Sequence, residues 1–243
     1  MELGLRESLV GVTRYCIHPK EGVRGLTRVG GTKNPDIAAI RALRPDLVFC
    51  NGEENRREDL EALATDLRID VSHPRRVSEV PELLRHFGRL TENPGPAESW
   101  ATRIESRLGE LGTAEPFTFV YLIWREPWMA AGEGTYISDL LSLVGGRNLV
   151  TEGDPYPGIT VDEIRRSGPD LVLLPDEPYR FRESHRDELA GLLPGAAVEL
   201  VSGDDFCWHG VRTLRGIDAA RELVARPGLR PEGRCYTPGR PPP

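Results

Sequence analysis

A thirteen-residue pattern occurs twice in this chain and constrains its fold more than any other feature. IAAIRALRPDLVF starts at Ile37 and VDEIRRSGPDLVL at Val161, so every matching pair of positions lies 124 residues apart. Ile40 matches Ile164, and Pro45-Asp46-Leu47-Val48 matches Pro169-Asp170-Leu171-Val172. In each copy apolar residues three apart precede a Pro-Asp joint, which predicts a short helix, and the apolar run beyond the joint predicts a buried strand. Two such units imply two similar α/β lobes. The stretch between them, PAESWATRIESRLGEL over 96–111, places Trp100, Ile104, Leu108 and Leu111 at steps of 4, 4 and 3, with Glu98, Arg103, Glu105 and Arg107 off that stripe. This spacing predicts an amphipathic helix of about 24 Å. Pro96 suits its first position, and Gly112 with Pro116 would end it.

Around these landmarks strand and helix patterns alternate. The first half offers a short apolar run at 10–12, a loop at 13–20, a strand at 47–50 that empties into Asn51-Gly52-Glu53-Glu54-Asn55, a helix at 56–67 and a strand at 69–71. Val80, Leu83, Leu84, Phe87 and Leu90 form a further helical stripe, closed by Asn93-Pro94-Gly95-Pro96. The second half offers FTFVYLI at 117–123 as the strongest strand, a loop at 124–134, and a helix at 136–144 ended by Gly145-Gly146. After the second repeat come a helix at 184–192, a strand at 198–201 and a helix at 211–225. The alternation implies parallel sheets with right-handed crossovers. The expected division is an amino-terminal lobe (1–95), a bridging helix (96–112), a carboxyl-terminal lobe (113–226) and a disordered Pro- and Gly-rich tail (227–243).

Charge and motifs exclude several function classes. With 31 basic against 38 acidic side chains the net charge is −7, and no stretch concentrates basic residues, which argues against nucleic acid. Lys20 and Lys33 are the sole lysines, so nearly all positive charge is arginine. No apolar run reaches the eighteen or so residues of a membrane span. MELGLRESLVGV lacks the features of a signal peptide, so the expected compartment, as the sequence stands, is cytoplasmic. Cys16, Cys50, Cys207 and Cys235 form no CxxC pair, which leaves a structural zinc site or a disulfide framework without support. GxSxG, Walker-type and HExxH motifs are absent, so the expectation is a protein that is not an enzyme.

Ligands of open parallel sheets bind beyond the carboxyl ends of the strands. The corresponding loops hold Tyr15, Cys16 and His18; Glu53, Glu54 and Asn55; Trp124 and Trp128; Tyr179 and Phe181; and Phe206, Trp208 and His209. Large aromatics in such loops suit a ligand-lining wall, though each could instead pack locally under its own loop. Cys16, His18 and His209 are residue types that ligate transition metals. Glu53 and Glu54 have the composition of an acid/base pair, yet neighbours in a strand-end loop point apart. A nucleophilic Cys16 served by His18 or Glu54 would need a lowered pKa and a positioned base.

The segments LVGVTRYCIHP, NPDIAAIRALRPDLVFCNGEEN, TYISDLLSLVGGRNLV, YPGITVDEIRRSGPDLVLLPDEPYRF and WHGVR together resemble the vitamin B12 and iron-chelate substrate-binding proteins of ABC importers, from about Leu9 to Leu223. The resemblance implies two Rossmann-like lobes with parallel sheets joined by one long helix, a periplasmic-binding-protein-like fold. It implies a ligand held between the lobes, cobalamin first, with ferric siderophore or haem as the alternative and no catalytic cofactor. A cytoplasmic cofactor-binding protein of the same fold without a transporter is the other reading. The resemblance carries over Tyr15, Trp124 and Trp208 as ligand contacts; His18, Glu54, Trp128, Tyr179 and Phe181, from the strand-end loops, complete the expected set, with His18 or His209 toward the metal. The partner implied is an ABC permease, met through Asp162 in the second lobe. The matching first-lobe position is Ala38, with Asp36 nearby. A monomer is expected. Met1 falls inside the family's first helix, so either the first lobe is shortened at its amino end or the true start lies upstream. An upstream start would place the protein in the periplasm or outside the cytoplasm.

Overall fold

The structure is a computed structural model and describes residues 1–151 and 153–226. The expected tail at 227–243, with Cys235, lies outside the described residues. In chain order the elements are β1 (Gly11–Val12), β2 (Thr27–Arg28), α1 (Ile37–Leu43), β3 (Val48–Asn51), α2 (Arg57–Ala64), β4 (Ile69–Ser72), α3 (Val80–Leu90) and α4 (Pro94–Gly109). Then follow β5 (Phe117–Trp124), β6 (Met129–Ala131), α5 (Tyr136–Ser142), β7 (Gly146–Asn148), α6 (Val161–Ser167), β8 (Leu171–Pro175), α7 (Glu183–Leu192), β9 (Ala197–Val201), α8 (Gly203–Cys207) and α9 (Thr213–Val224). The chain divides into two compact units. One comprises Met1–His73 and Arg85–Ala97, the other Pro74–Leu84 and the chain from Glu98 onward.

The repeat extends to its caps. Asp36 and, 124 positions on, Thr160 cap α1 and α6, each side chain accepting from the backbone N–H three residues later. Both helices end on a left-handed residue at matching positions, Arg44 (φ 46) and Gly168 (φ 60). The conformation is easy for glycine and unusual for arginine. Beyond the caps the copies diverge. Asp170 carries its carboxylate onto β5, accepting from the Thr118 N–H and hydroxyl at 2.7 Å each, while Thr118 Oγ1 accepts the Asp170 N–H at 2.9 Å. Asp46, its counterpart, is exposed.

In the first unit β1 pairs with β2 and β3 with β4, both in parallel, as two separate two-stranded sheets. A small cluster of Val29, Ile40, Cys50 and Leu63 is their core. In the second unit five strands follow the order β6-β5-β8-β9, with β7 also on β5. β7 meets Phe117–Phe119 and β6 meets Tyr121–Trp124, so the two share one edge of β5 while β8 takes the other. All pairs there are parallel except β5–β6, a hairpin inside the loop expected at 124–134.

Helix α4 begins two residues before the expected start and stops at Gly109. Pro94 and Pro96 both lie in its first turn, where backbone N–H groups have no helical partner to lose. Its buried stripe is Ala97, Ala101 and Ile104; Trp100 and Leu108 flank it, only partly buried. Helix α5 is shorter than expected because Gly145 takes φ 92 and Gly146 begins β7, a strand the sequence pattern did not signal. Strands β2 and β6 and helix α8 are further additions, each five residues or fewer and so too short to show a period.

Asp170→Ala leaves the Thr118 N–H and hydroxyl without their acceptor and is expected to lower the unfolding free energy by about 1–3 kcal/mol. Asp46→Ala should change it by no more than about 0.5 kcal/mol. Urea denaturation of the two variants checks the contrast.

Candidate functional site

In the first unit the residues singled out lie in loops tied down by backbone-directed hydrogen bonds. Arg28, on β2, donates from Nη1 to the carbonyls of Thr13 and Cys16 at 2.8 and 2.9 Å, which fixes the loop after β1. That loop presents Tyr15, about half exposed, with the Arg14 guanidinium 5.0 Å from its ring centroid and donating to its hydroxyl. His18 is exposed a few residues on. After β3, Asn51 Oδ1 accepts the N–H groups of Glu53 and Glu54, and Asn55 Oδ1 accepts that of Asn51. Asn55 and Lys33 then tie this loop to the segment after β2, through the carbonyls of Thr32 and Glu53. The two carboxylates diverge: Glu54 accepts from Thr32 and Glu53 faces His73 at 3.7 Å. They form no acid/base pair.

In the second unit the loops after β5 and β8 form one run of rings. Trp124, 42% exposed, meets Tyr179 edge to face at 5.5 Å; Tyr179 lies 4.8 Å from Phe181, and Phe181 stacks on Trp128 at 6.1 Å. Phe181, expected among the ligand contacts, is buried in the core with Leu122, Leu174 and Leu189. Phe206 is likewise buried, in the cluster on the opposite sheet face. Trp128 and Tyr179 are half-buried against the same core as Phe181.

Trp208 follows α8 and donates its indole N–H to Glu177 Oε1. Burial, then the nearby Asp204 charge, push the Glu177 carboxyl up to about 7. Arg212 sits 5.6 Å from the Trp208 ring centroid and pairs with Asp204 and Asp205. Arg125, 5.4 Å from the Trp128 ring centroid, pairs with Glu188 at 2.9 Å. Tyr121 is fully buried with its hydroxyl 3.6 Å from Cys207 Sγ, and burial pushes its pKa well up. His209 packs against Tyr136 at 6.0 Å. Among the described residues no three His, Cys, Asp or Glu side chains gather to hold a metal ion.

Of the acidic residues expected to dock a partner, Asp162 is highly exposed in the first turn of α6 and pairs with Arg165. Asp36 is committed to the cap of α1, accepting from Ala39 N–H at 2.9 Å. A cavity of about 410 Å³ lined by Arg165, Pro169, Leu192 and Pro194 lies before β8 and β9, at the strand ends opposite the aromatic loops. Glu177 and Asp204 went unread in the sequence, although the acidic pairs in PDEP and GDDF directly follow β8 and β9.

Comparison with known proteins gives a consistent picture. The profile of the periplasmic binding protein family matches residues 1–188. A vitamin B12-binding protein of Pectobacterium atrosepticum is 25% identical over 93% of this chain and 78% of its own length. The crystal structure of the periplasmic vitamin B12 binding protein of Vibrio cholerae superposes with a TM-score of 0.78 at 20% identity, covering 93% of this chain and 92% of that one. A periplasmic haem-binding protein of Pseudomonas aeruginosa gives 0.77 at 21% identity, covering 91% and 86%. No helix among the described residues is long and apolar enough to cross a membrane.

Phe181→Ala is expected to cost about 3–5 kcal/mol of stability, against about 1 kcal/mol or less for the exposed Trp124→Ala, in chemical denaturation. A carboxyl with a raised folded pKa binds its proton more tightly when folded, so its stabilising contribution is complete below the ordinary 4.5 and lost as pH climbs to about 7. Wild type is therefore expected to lose stability relative to Glu177→Gln across that window, which urea midpoints taken at several pH values will show.

Proposed function

Since this chain belongs to the periplasmic binding protein family, we propose that it is the substrate-binding component of an ABC-type importer and holds a metal-centred chelate, cobalamin first. The observation that carries the reading is the set of exposed and half-buried rings at the carboxyl ends of strands: Tyr15 in the first unit, and Trp124, Trp128, Tyr179 and Trp208 in the second. Flat apolar faces with a few polar tips suit a macrocycle, whose burial they would drive through area and stacking. His18 and Glu54 are the further ligand contacts proposed within the first unit.

The arginines favour cobalamin over an anionic siderophore. Arg125 already pairs with Glu188, and Arg212 with Asp204 and Asp205, so two cations near the second unit's rings are engaged by protein carboxylates. A catecholate chelate would have to compete for them, whereas a corrinoid needs mainly aromatic surface. The names of the vitamin B12-binding relatives support the same choice, and the haem-binding neighbours support haem as the second reading. The proposed partner is the importer's permease, approached through Asp162, whose exposed carboxylate suits docking to basic residues. Asp36 is the weaker contributor because its carboxylate already caps α1. The proposed compartment is extracytoplasmic.

Visible-absorbance and calorimetric titration with cyanocobalamin, with haemin in parallel, tests the reading. Saturable one-to-one binding below about 1 μM, roughly −8 kcal/mol, is expected. The Trp124→Ala, Trp208→Ala double variant should bind at least about tenfold more weakly. Unchanged affinity in that variant would remove the aromatic wall from the site, and failure of both ligands to bind folded protein would overturn the chelate reading.

A further inference from the structure

The arginine beside the exposed Tyr15 ring is held without a counter-charge. Arg14 is itself exposed, and its Nη2 donates to the Tyr15 hydroxyl at 3.0 Å and to Asn34 Oδ1 at 3.3 Å. Both acceptors are neutral. Among the described residues its Nε and Nη1 donors meet no protein acceptor, and no carboxylate pairs with it. A guanidinium carries its N–H donors in one rigid plane, so the open ones suit a two-point contact with a carboxylate or phosphate group.

The position of the group is built into the backbone. A Cβ on the buried Gly31 would fall 3.1 Å from Arg14 Nη2, 3.2 Å from Nε and 2.6 Å from Asn34 Oδ1, so a residue without a side chain leaves the space the guanidinium occupies. The Arg14 N–H donates to the Gly30 carbonyl at 2.8 Å, and Arg28 clamps the carbonyls of Thr13 and Cys16 on either side.

The other charges of these loops do not cancel it. Lys33 donates to the Glu53 carbonyl, while the Glu53 carboxylate faces His73 and that of Glu54 accepts from Thr32. The second unit does the opposite. Arg125 beside Trp128 pairs with Glu188 at 2.9 Å, and Arg212 beside Trp208 pairs with Asp204 and Asp205. A cation fixed next to a proposed ligand ring, with no protein anion to meet it, has its use when the ligand brings the charge.

We propose that Arg14 is a ligand-binding residue that receives an oxyanion at the edge of the ligand, while the Tyr15 ring meets its apolar part. This deepens the chelate reading and rests on it. A single open guanidinium suits a ligand with a localised peripheral charge. Cobalamin carries a phosphodiester in its nucleotide arm and haem carries carboxylates, whereas cobinamide, which lacks that arm, carries neither. A lysine at this position would supply the charge without the planar fork.

Calorimetric titration of wild type, Arg14→Gln and Arg14→Lys tests the assignment, with circular dichroism confirming that each is folded. The probes come in pairs that differ in the oxyanion: cyanocobalamin with dicyanocobinamide, and haemin with its dimethyl ester. Arg14→Gln is expected to bind cyanocobalamin about tenfold more weakly than wild type does and dicyanocobinamide equally well, and Arg14→Lys to recover part of the loss. The same contrast between haemin and its ester would make a carboxylate the group received. Unchanged affinity in Arg14→Gln overturns the assignment, and so does an equal loss for both members of a pair, which is what a merely structural role would give. If none of the four probes binds wild type, the chelate reading falls, and titration with inorganic phosphate then decides on Arg14 by itself. Saturable shifts of the Tyr15 and Gly31 amide signals in NMR spectra of wild type, absent from Arg14→Gln, would keep it as an oxyanion site; their absence from wild type would overturn it.

Discussion

The larger unit depends on β5 being buried on both faces. Phe119, Val120, Tyr121 and Leu122 are all fully buried, and alternation sends them to opposite sides. Phe117, Phe119 and Tyr121 join Ile104 of α4, Leu140 and Leu141 of α5 and Ile217 of α9; Val120 and Leu122 join Ile164 of α6 and Leu189 of α7. A strand apolar at successive positions has no face to give to water, so helices must cover both sides. Every other strand of that sheet except β9 pairs directly with β5. With the faces closed, the strand ends are where polar and variable groups can emerge, and Trp124 emerges there at the end of β5 itself.

The same burial supplies the chemistry beneath the aromatic wall. Tyr121 places a hydroxyl at the inner edge of the loops, 3.6 Å from the soft Cys207 sulfur. Tyr136 meets Thr213 at 2.8 Å in the same apolar surroundings, and burial pushes both phenols up in pKa. A carboxyl brought into that neighbourhood, as Glu177 is, resists ionisation for the same reason. The ring wall and the raised carboxyl are thus two results of one arrangement: large apolar side chains packed to the end of a central strand.

The parts legible in the sequence were those with a period or a repeat. The Pro-Asp copies located α1 with β3 and α6 with β8, and continuous β-branched and aromatic residues located β5. Short elements carried no such signal: β6 and β7 owe their strand conformation to the edge of β5, a tertiary partner that no local pattern encodes. The Asn of GGRNLV, read as family resemblance, has a plain structural task, since Asn148 donates to the Ala131 carbonyl and the Ser138 hydroxyl and accepts from Val150 N–H. For the candidate site, residue type located the aromatic loops but could not separate wall from support. Trp124 and Phe181 look alike in sequence, and only packing shows one ring open to solvent and the other enclosed.

The first unit is held by other means. Two two-stranded sheets and a core of four buried residues supply little apolar burial, and a lone pair of strands is marginal in water. Polar staples centred on arginine stand where a larger core would otherwise be. Arg41 on α1 donates to both carboxylate oxygens of Asp66, to the Ala62 carbonyl and to the Thr65 hydroxyl, joining two helices at the end of α2. Arg28 gathers two carbonyls of the Tyr15 loop in the same way. Such contacts need several donors in a fixed plane, which a guanidinium has and an ammonium lacks. The near absence of lysine from the composition, whatever its origin, therefore has a structural consequence here: the loop presenting Tyr15 is positioned by a rigid fork of N–H groups, and its geometry follows from hydrogen bonds more than from packing.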